Sequence, residues 1–72
     1  MHITHPTADE CFLRSAATSS GAEKYFTEYY APNGSVVAVC EERTVRDEVL
    51  VLVEIPWEGE RVRGWVKRKY LS

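Results

Sequence analysis

One apolar run limits the folds that are open to this chain. Residues 49–55 read Val-Leu-Val-Leu-Val-Glu-Ile, five consecutive apolar residues and then an alternating pair. Valine and isoleucine are poor helix formers and Pro56 ends the run, so the pattern predicts a central strand that is contacted on both faces. The core face is assigned to the longer same-face set, Val49, Val51, Val53 and Ile55.

Leu50 and Leu52 lie on the other face of this strand and need cover of their own. The candidates are Trp57, Cys11 or the N-terminal arm, and another protein chain, which would imply either a homodimer through Leu50 and Leu52 or a partner surface there. We expect the Trp57 indole to lie over the two leucines as a lid.

Turn signals divide the rest of the chain into short strands. Asn33-Gly34 follows Pro32, and Gly59 lies in a second reversal; both sites favour the positive φ angles of tight hairpins. The strands predicted between them are residues 12–14, 24–30, 35–42, 49–55 and 61–66. This pattern predicts an all-β fold.

Length and composition indicate one small domain. The chain has 72 residues, of which 44% are hydrophobic and 28% charged, a balance typical of a folded protein. No apolar run reaches the roughly 18 residues of a membrane span, and the polar start is not a secretory signal. We therefore expect a cytoplasmic protein with no membrane contact.

Three stretches resemble bacterial SH3-like domains. Gly64-Trp65-Val66, three polar residues and then Tyr70-Leu71-Ser72 resemble the C-terminal signature of that family. Phe12-Leu13-Arg14-Ser15 is similar to its opening strand, and residues 34–39 are similar to its Gly-Thr-x-Val-x-Val strand. The chain departs from the family pattern at Ala16-Ala17, where Gly-Pro is usual, and at Glu48-Val49, where a tryptophan usually opens the strand.

The resemblance implies a small SH3-like barrel of about five antiparallel strands with a C-terminal single-turn helix. The barrel domain would comprise residues 12–72, preceded by a flexible or edge-lying arm of residues 1–11. Within it, Gly64 would allow the last strand to bend or another backbone to come close. Tyr70 and Leu71 would dock after the single helical turn.

The resemblance also sets the expected ligand site. Alignment at Gly34 places Phe26 and Tyr30 inward, which leaves Tyr25 and Tyr29 outside. With Tyr70 and with Arg46 at the rim, these two tyrosines form the predicted ligand-binding residues, because rigid aromatic side chains grip extended chains at low entropy cost. The predicted function is a non-catalytic module that recognises a protein or peptide segment, as a small adaptor or inhibitor. Cell-wall peptide binding is the family's alternative.

The basic end of the chain supports a second alternative, nucleic-acid binding. Residues 61–72 hold five bases and no acid: Arg61, Arg63, Lys67, Arg68 and Lys69. The acidic remainder opposes an approach to phosphates, so we expect these bases to pair within the protein. Glu58 and Glu60 are the expected partners of Arg61 and Arg63.

The two cysteines and the histidines give no sign of chemistry. Cys11 and Cys40 are expected to stay reduced. Val37 and Val39 are expected to face inward, which places Cys40 on the opposite face as a packing residue rather than a nucleophile, because no histidine or helix start lies near enough to lower a thiol pKa. No zinc-binding spacing or catalytic motif is present. The sequence predicts no enzyme activity, no cofactor and no metal.

Overall fold

The sequence folds into an antiparallel sheet of five strands and two 3-10 turns. The computed structural model describes residues 1–18 and 20–72. The strands are β1 Glu10–Arg14, β2 Phe26–Pro32, β3 Ala38–Val45, β4 Glu48–Trp57 and β5 Glu60–Lys67, and the 3-10 turns are Glu23–Tyr25 and Arg68–Tyr70. The strand order is β2-β1-β5-β4-β3, so the sheet is open, with β2 and β3 at its edges. The predicted all-β class is confirmed.

The valine-rich run is the centre of this sheet. β4 pairs with β3 on one side and with β5 on the other, and its Val51, Val53 and Ile55 are buried in the core. Their predicted core assignment is confirmed, whereas Val49 is only half-buried. The odd-numbered positions therefore face inward along β4.

The lid predicted for Trp57 is wrong. Trp57 shares the inward face of β4 with the valines and packs against the core, so it cannot cover residues that point the opposite way. Leu50 is nevertheless fully buried, and its ladder partners are Arg43 and Lys67, two residues whose long aliphatic stems can cover apolar surface. Leu52 faces Trp65 in the ladder and stays half-buried. The homodimer through Leu50 and Leu52 stays a prediction. Of these two side chains, only Leu52 retains exposed surface.

Tight turns join the strands at residues that adopt positive φ angles, the left-handed region of backbone conformation. Glu58 and Gly59 have φ angles of 48° and 82°, which is the conformation that a two-residue hairpin loop requires. Arg46, at φ 58°, lies in the turn between β3 and β4. Gly34 has φ 88°, and the turn predicted at Asn33-Gly34 is confirmed.

Gly64 is the point of closest approach between β5 and β1. A Cβ atom at this position would lie 2.4 Å from the Cβ of Leu13, far inside the normal contact distance of carbon atoms. The prediction that another part of the chain comes close at Gly64 is confirmed. Leu13 lies in the core at the crossing of the two strands.

Residues 1–4 lie between two other segments and hydrogen-bond to both. The Ile3 N–H donates to the Ser35 carbonyl, and the Gly34 N–H donates to the Ile3 carbonyl. On the other side, His2 and Ser72 exchange N–H to carbonyl bonds of 2.8 and 2.9 Å. Ile3 is fully buried in the core, where Leu71 is also buried, so Leu71 docks as predicted.

The prediction of which β2 side chains face inward is wrong. Ala31 is buried and Tyr29 packs against the core, whereas Phe26 is 40% exposed. The odd-numbered residues therefore face inward, together with Cys11 of the paired β1. Glu28, which shares a face with Phe26 and is exposed, marks the solvent side of the strand.

Edge strand β3 also departs from expectation. Val37, just before the strand, is buried as predicted, but Val39 is 47% exposed and Cys40 is exposed as well. The register against β4 shifts between Val39 and Glu41, which places Cys40 in a bulge. The predicted inward position of Val39 and the predicted packing of Cys40 on the opposite face are therefore wrong, because β3 is an edge strand with a neighbour on one side only. In the part of the chain that is described, no helix is long and apolar enough to cross a membrane.

Candidate functional site

A surface pocket of about 330 Å³ opens where the N-terminal loop, β1, β2 and the second 3-10 turn meet. Its volume lies at the lower end of the range for ligand pockets. Aromatic rings form much of its wall, and both signs of charge are present. The lining residues are His5, Ala8, Asp9, Glu10, Cys11, Phe12, Arg14, Phe26 and Tyr70.

A bulge between β1 and β2 sets the aromatic side of the pocket. Phe12 pairs with Tyr30 and Arg14 pairs with Phe26. An advance of two residues along β1 is therefore matched by four residues along β2. The Leu13 carbonyl would lose its ladder partner there, but it accepts a hydrogen bond of 3.0 Å from the Thr27 hydroxyl. Bulges redirect side chains, and this one places the Phe26 ring under the Arg14 guanidinium, 5.2 Å from its centroid.

Arg14 is the unusual polar group of the pocket. It is only 6% exposed, and its Nε is buried without a hydrogen-bond partner among residues 1–18 and 20–72. None of the ion pairs formed within that part of the chain includes Arg14. Contact with the Phe26 ring offsets part of the cost of burial. The pocket therefore holds a guanidinium group whose Nε is shielded from solvent and has no hydrogen-bond partner among the described residues.

The N-terminal loop forms the opposite wall and is fixed by Asn33. The Asn33 side-chain amide donates to the Ala8 carbonyl at 2.7 Å and its Oδ1 accepts from the His5 N–H at 2.8 Å. The His5 Nδ1 in turn accepts from the backbone N–H groups of Thr7 and Ala8. The His5 ring lies 5.0 Å from the Tyr70 ring. The wall is thus held in place before any ligand arrives.

A row of aromatic rings continues from the pocket to the edge of the core, where Tyr29, Tyr30 and Trp57 are half-buried. Phe12, which lines the pocket and is 40% exposed, lies 5.3 Å from Tyr30. Trp57 lies 5.0 Å from Tyr30 and 5.4 Å from Tyr29, each measured between ring centroids. We call these four residues the aromatic row. An extended peptide advances about 3.3–3.6 Å per residue, so the row offers stacking surface for at most roughly four residues.

Cys11 lies at the base of the pocket but is not arranged as a nucleophile. Burial raises the pKa of its thiol, and the nearby positive charge of Arg14 offsets only part of that rise. At neutral pH the thiol is protonated, and the thiolate is the reactive form. Cys11 and Cys40 are both free thiols.

The four predicted ligand-binding residues are not brought together. Tyr70 lines the pocket, and Tyr29 lies at the far end of the aromatic row with one side against the core. Tyr25 ends the first 3-10 turn, where the Lys24 Nζ lies 5.0 Å from its ring centroid. Arg46 is exposed at the turn between β3 and β4.

Sequence reasoning missed Phe12, Phe26, Arg14 and His5 as pocket residues. The signal for the first three was available in the alternation of the strands, since Leu13 next to the core implies that Phe12 and Arg14 face away from it. Glu28 on the same face as Phe26 indicated the solvent side of β2. Nothing in the sequence signalled His5, because its position depends on the contacts of Asn33.

Three of the five bases near the end of the chain pair with acids, so the predicted self-neutralisation is confirmed in part, but with different acids. Glu54 accepts hydrogen bonds from Arg61 and from Arg63, the latter at 2.9 Å, and these bonds lower the pKa of its carboxyl group. The expected partners were Glu58 and Glu60. That expectation is wrong because Glu54 faces Arg63 directly in the β4–β5 register, whereas Glu60 pairs with Trp57.

Two further bases of this end are also engaged. The Lys67 Nζ lies 3.4 Å from a Glu48 carboxylate oxygen, and the Arg68 guanidinium donates to the Leu71 carbonyl at 3.1 Å. The Lys69 Nζ lies 5.9 Å from the centroid of the Tyr70 ring. The bases that the nucleic-acid alternative needs are thus mostly occupied by groups of the protein itself.

Comparison with known protein families, with curated proteins and with solved structures finds no significant match to this chain. Within residues 1–18 and 20–72, no group of three or more His, Cys, Asp or Glu side chains is placed to hold a metal ion. The functional assignment therefore depends on the pocket and the aromatic row themselves.

Proposed function

We propose that this protein is a non-catalytic binding module that recognises a protein or peptide segment through the pocket and the aromatic row. The observation that carries the proposal is the exposure of large rings at a preformed concave site. Phe12 and Phe26 are each 40% exposed, and both line the pocket with Tyr70. Exposed aromatic surface of this kind is typical of interaction sites.

The chemistry of the site favours an extended chain as the ligand. Flat rings at successive spacings of about 5 Å provide contact area without fixing the identity of each side chain. The Asn33 contacts hold the loop wall in one arrangement, which lowers the entropy lost on binding. Tyr70 belongs to this proposed site, and Tyr29 lies at its end; Tyr25 and Arg46 stay predictions from sequence.

We extend the proposal to the fold family, a bacterial SH3-like barrel. Its support is the number of antiparallel strands, the 3-10 turn Arg68–Tyr70 and the burial of Leu71 that follows it. The N-terminal residues, hydrogen-bonded to Ser35 and to Ser72, fill part of the gap that the open sheet leaves. Two free thiols fit a reducing compartment such as the cytoplasm.

The test is an affinity capture from an extract of the source cell, with the captured proteins identified by mass spectrometry. The site variant is Phe12→Ala/Phe26→Ala. The matched control is Val36→Ala/Val39→Ala, which removes apolar surface that is 67% and 47% exposed but lies outside the pocket lining. Circular dichroism establishes that both variants are folded at the assay temperature.

We expect the wild type and the valine control to capture the same partner and the phenylalanine variant to lose it. The reason is that truncating aromatic anchors at the centre of an interface costs about 2 kcal/mol or more each. If the phenylalanine variant captures the same proteins as the wild type, the pocket is not the binding site and the proposal fails.

A further inference from the structure

Among residues 1–18 and 20–72, no hydrogen-bond acceptor is placed for Nε of Arg14, a side chain that lines the pocket. Arginine is almost never so deeply buried unless it is paired, yet Arg14 is 6% exposed and its Nε has no partner in the described part of the chain. The Phe26 ring supplies a cation–π contact but no hydrogen-bond acceptor. A ligand that supplies one would complete the site.

We propose that Arg14 binds the free carboxyl-terminal carboxylate of an extended peptide, an inference that rests on the peptide-binding function proposed above. A planar guanidinium matches the two oxygens of a carboxylate, and the bond between them is charge-assisted. Because Arg14 is only 6% exposed, that bond is less screened by water than it would be at an open surface.

The size and the acidic rim of the pocket favour a chain end over an acidic side chain. A volume of about 330 Å³ leaves little room for a peptide that passes through with residues on both sides of its acidic group. Asp9 and Glu10 also line the pocket, and they repel any additional negative charge on the ligand. The carboxylate is therefore carried by an otherwise neutral or basic chain.

The spacing of side chains along β1 predicts the peptide residues that precede the carboxylate. Glu10, Phe12 and Arg14 alternate with the buried Cys11 and Leu13, so they lie on the same face of the strand. Four residues separate Arg14 from Glu10, about 13 Å in an extended strand. With its carboxylate at Arg14, the peptide places its last, apolar side chain beside Phe12. A basic residue three or four positions earlier then lies near Glu10.

The experiment uses three acetylated peptides and nuclear magnetic resonance titration of the isotope-labelled protein. The first is acetyl-Gly-Gly-Lys-Gly-Gly-Leu with a free carboxylate, and the second is the same peptide with a carboxyl-terminal amide. The third is an amidated peptide in which a glutamate follows the leucine and a glycine ends the chain. The protein variants are Arg14→Met and, as a control that removes the same charge at an exposed turn, Arg46→Met.

We expect the free acid to bind about tenfold or more tightly than either amidated peptide, because only the free acid offers the terminal carboxylate. The largest shifts should appear at Phe12, Arg14, Phe26 and Tyr70. Arg14→Met should abolish the preference and keep or raise the melting temperature, because an apolar group replaces an unpaired buried charge. Arg46→Met should keep the preference.

Three results would overturn the inference: equal affinity for the acid and its amide, an unchanged preference in Arg14→Met, or equal binding of the peptide with the internal glutamate. Failure of all three peptides to bind at millimolar concentration would overturn it as well. The binding function is judged separately, because a partner lost only in Phe12→Ala/Phe26→Ala would still support the pocket as an interaction site whose ligand has another chemistry.

Discussion

Replacing Gly64 by alanine should destabilise the protein by about 2 kcal/mol. The added methyl would lie 2.4 Å from the Leu13 Cβ, 3.0 Å from Cδ1 and 3.2 Å from Cγ of the same side chain. A Cβ is fixed to the backbone, so no rotamer change relieves the contact, and β1 must move away from β5 by about 1 Å to reach a normal carbon separation. Overpacking of this kind costs about 1–3 kcal/mol.

That loss is large for a chain of 72 residues. At roughly 0.05–0.15 kcal/mol per residue, the free energy of unfolding is about 4–11 kcal/mol in all. The melting temperature should fall by about 8–16 °C, since each kcal/mol shifts a domain of this size by about 4–8 °C. Urea denaturation followed by tryptophan fluorescence measures the free energy, and calorimetry measures the midpoint.

The matched control is Gly21→Ala, because a Cβ at Gly21 meets nothing within 4 Å and its φ needs no left-handed conformation. It should change the free energy of unfolding by less than about 0.5 kcal/mol or raise it slightly. A double-mutant cycle with Leu13→Gly, which removes the opposing Cβ, should reduce the penalty of Gly64→Ala. If Gly64→Ala matches the wild type within about 0.5 kcal/mol, the close approach of the two strands is not as described.

Two further predictions concern titratable groups. Cys40 should react with iodoacetamide in the folded protein, while Cys11 should react only after denaturation. The reason is that Cys40 is exposed, whereas Cys11 is buried and the pKa of its thiol is raised. Mass spectrometry measures the two reaction rates, with Cys40→Ser as the control, and equal rates would refute this. Glu54, whose pKa is lowered by Arg61 and Arg63, should stabilise the fold fully above about pH 4.3 and progressively less as the pH falls through its native pKa. Glu54→Gln should therefore lower the urea midpoint at neutral pH, and the midpoint of this variant should fall less in acid than that of the wild type. If the midpoint of the variant depends on acid as strongly as that of the wild type, this account is contradicted.

Features set by local chemistry were predictable from the sequence. The strand at residues 49–55 follows from its β-branched run, and the Asn33-Gly34 turn follows from the few residues that accept positive φ. Gly64 was predicted as a point of close approach because a glycine inside a strand needs a reason. Each of these depends on residues that are neighbours in sequence.

Features set by distant contacts were not predictable. Glu28 indicated which side of β2 faces solvent, but the bulge at Thr27 is set by a carbonyl of another strand and does not follow from the sequence of β2 alone. Ile3 is a single apolar residue in a polar stretch, and only the segments beside it explain its burial. The burial of Arg14 likewise follows from the Phe26 ring that the bulge brings to it.

The hydrogen bonds between His2 and Ser72 have a consequence for synthesis on the ribosome. Tyr70, which lines the pocket opposite β1 and β2, lies just before this pairing, and its ring is 5.0 Å from that of His5 although the two residues are 65 positions apart in the chain. Contacts between such distant residues are slow to form, and these wait until the last strand and the turn after it have left the exit tunnel. The pocket is therefore complete only after translation has passed residue 70.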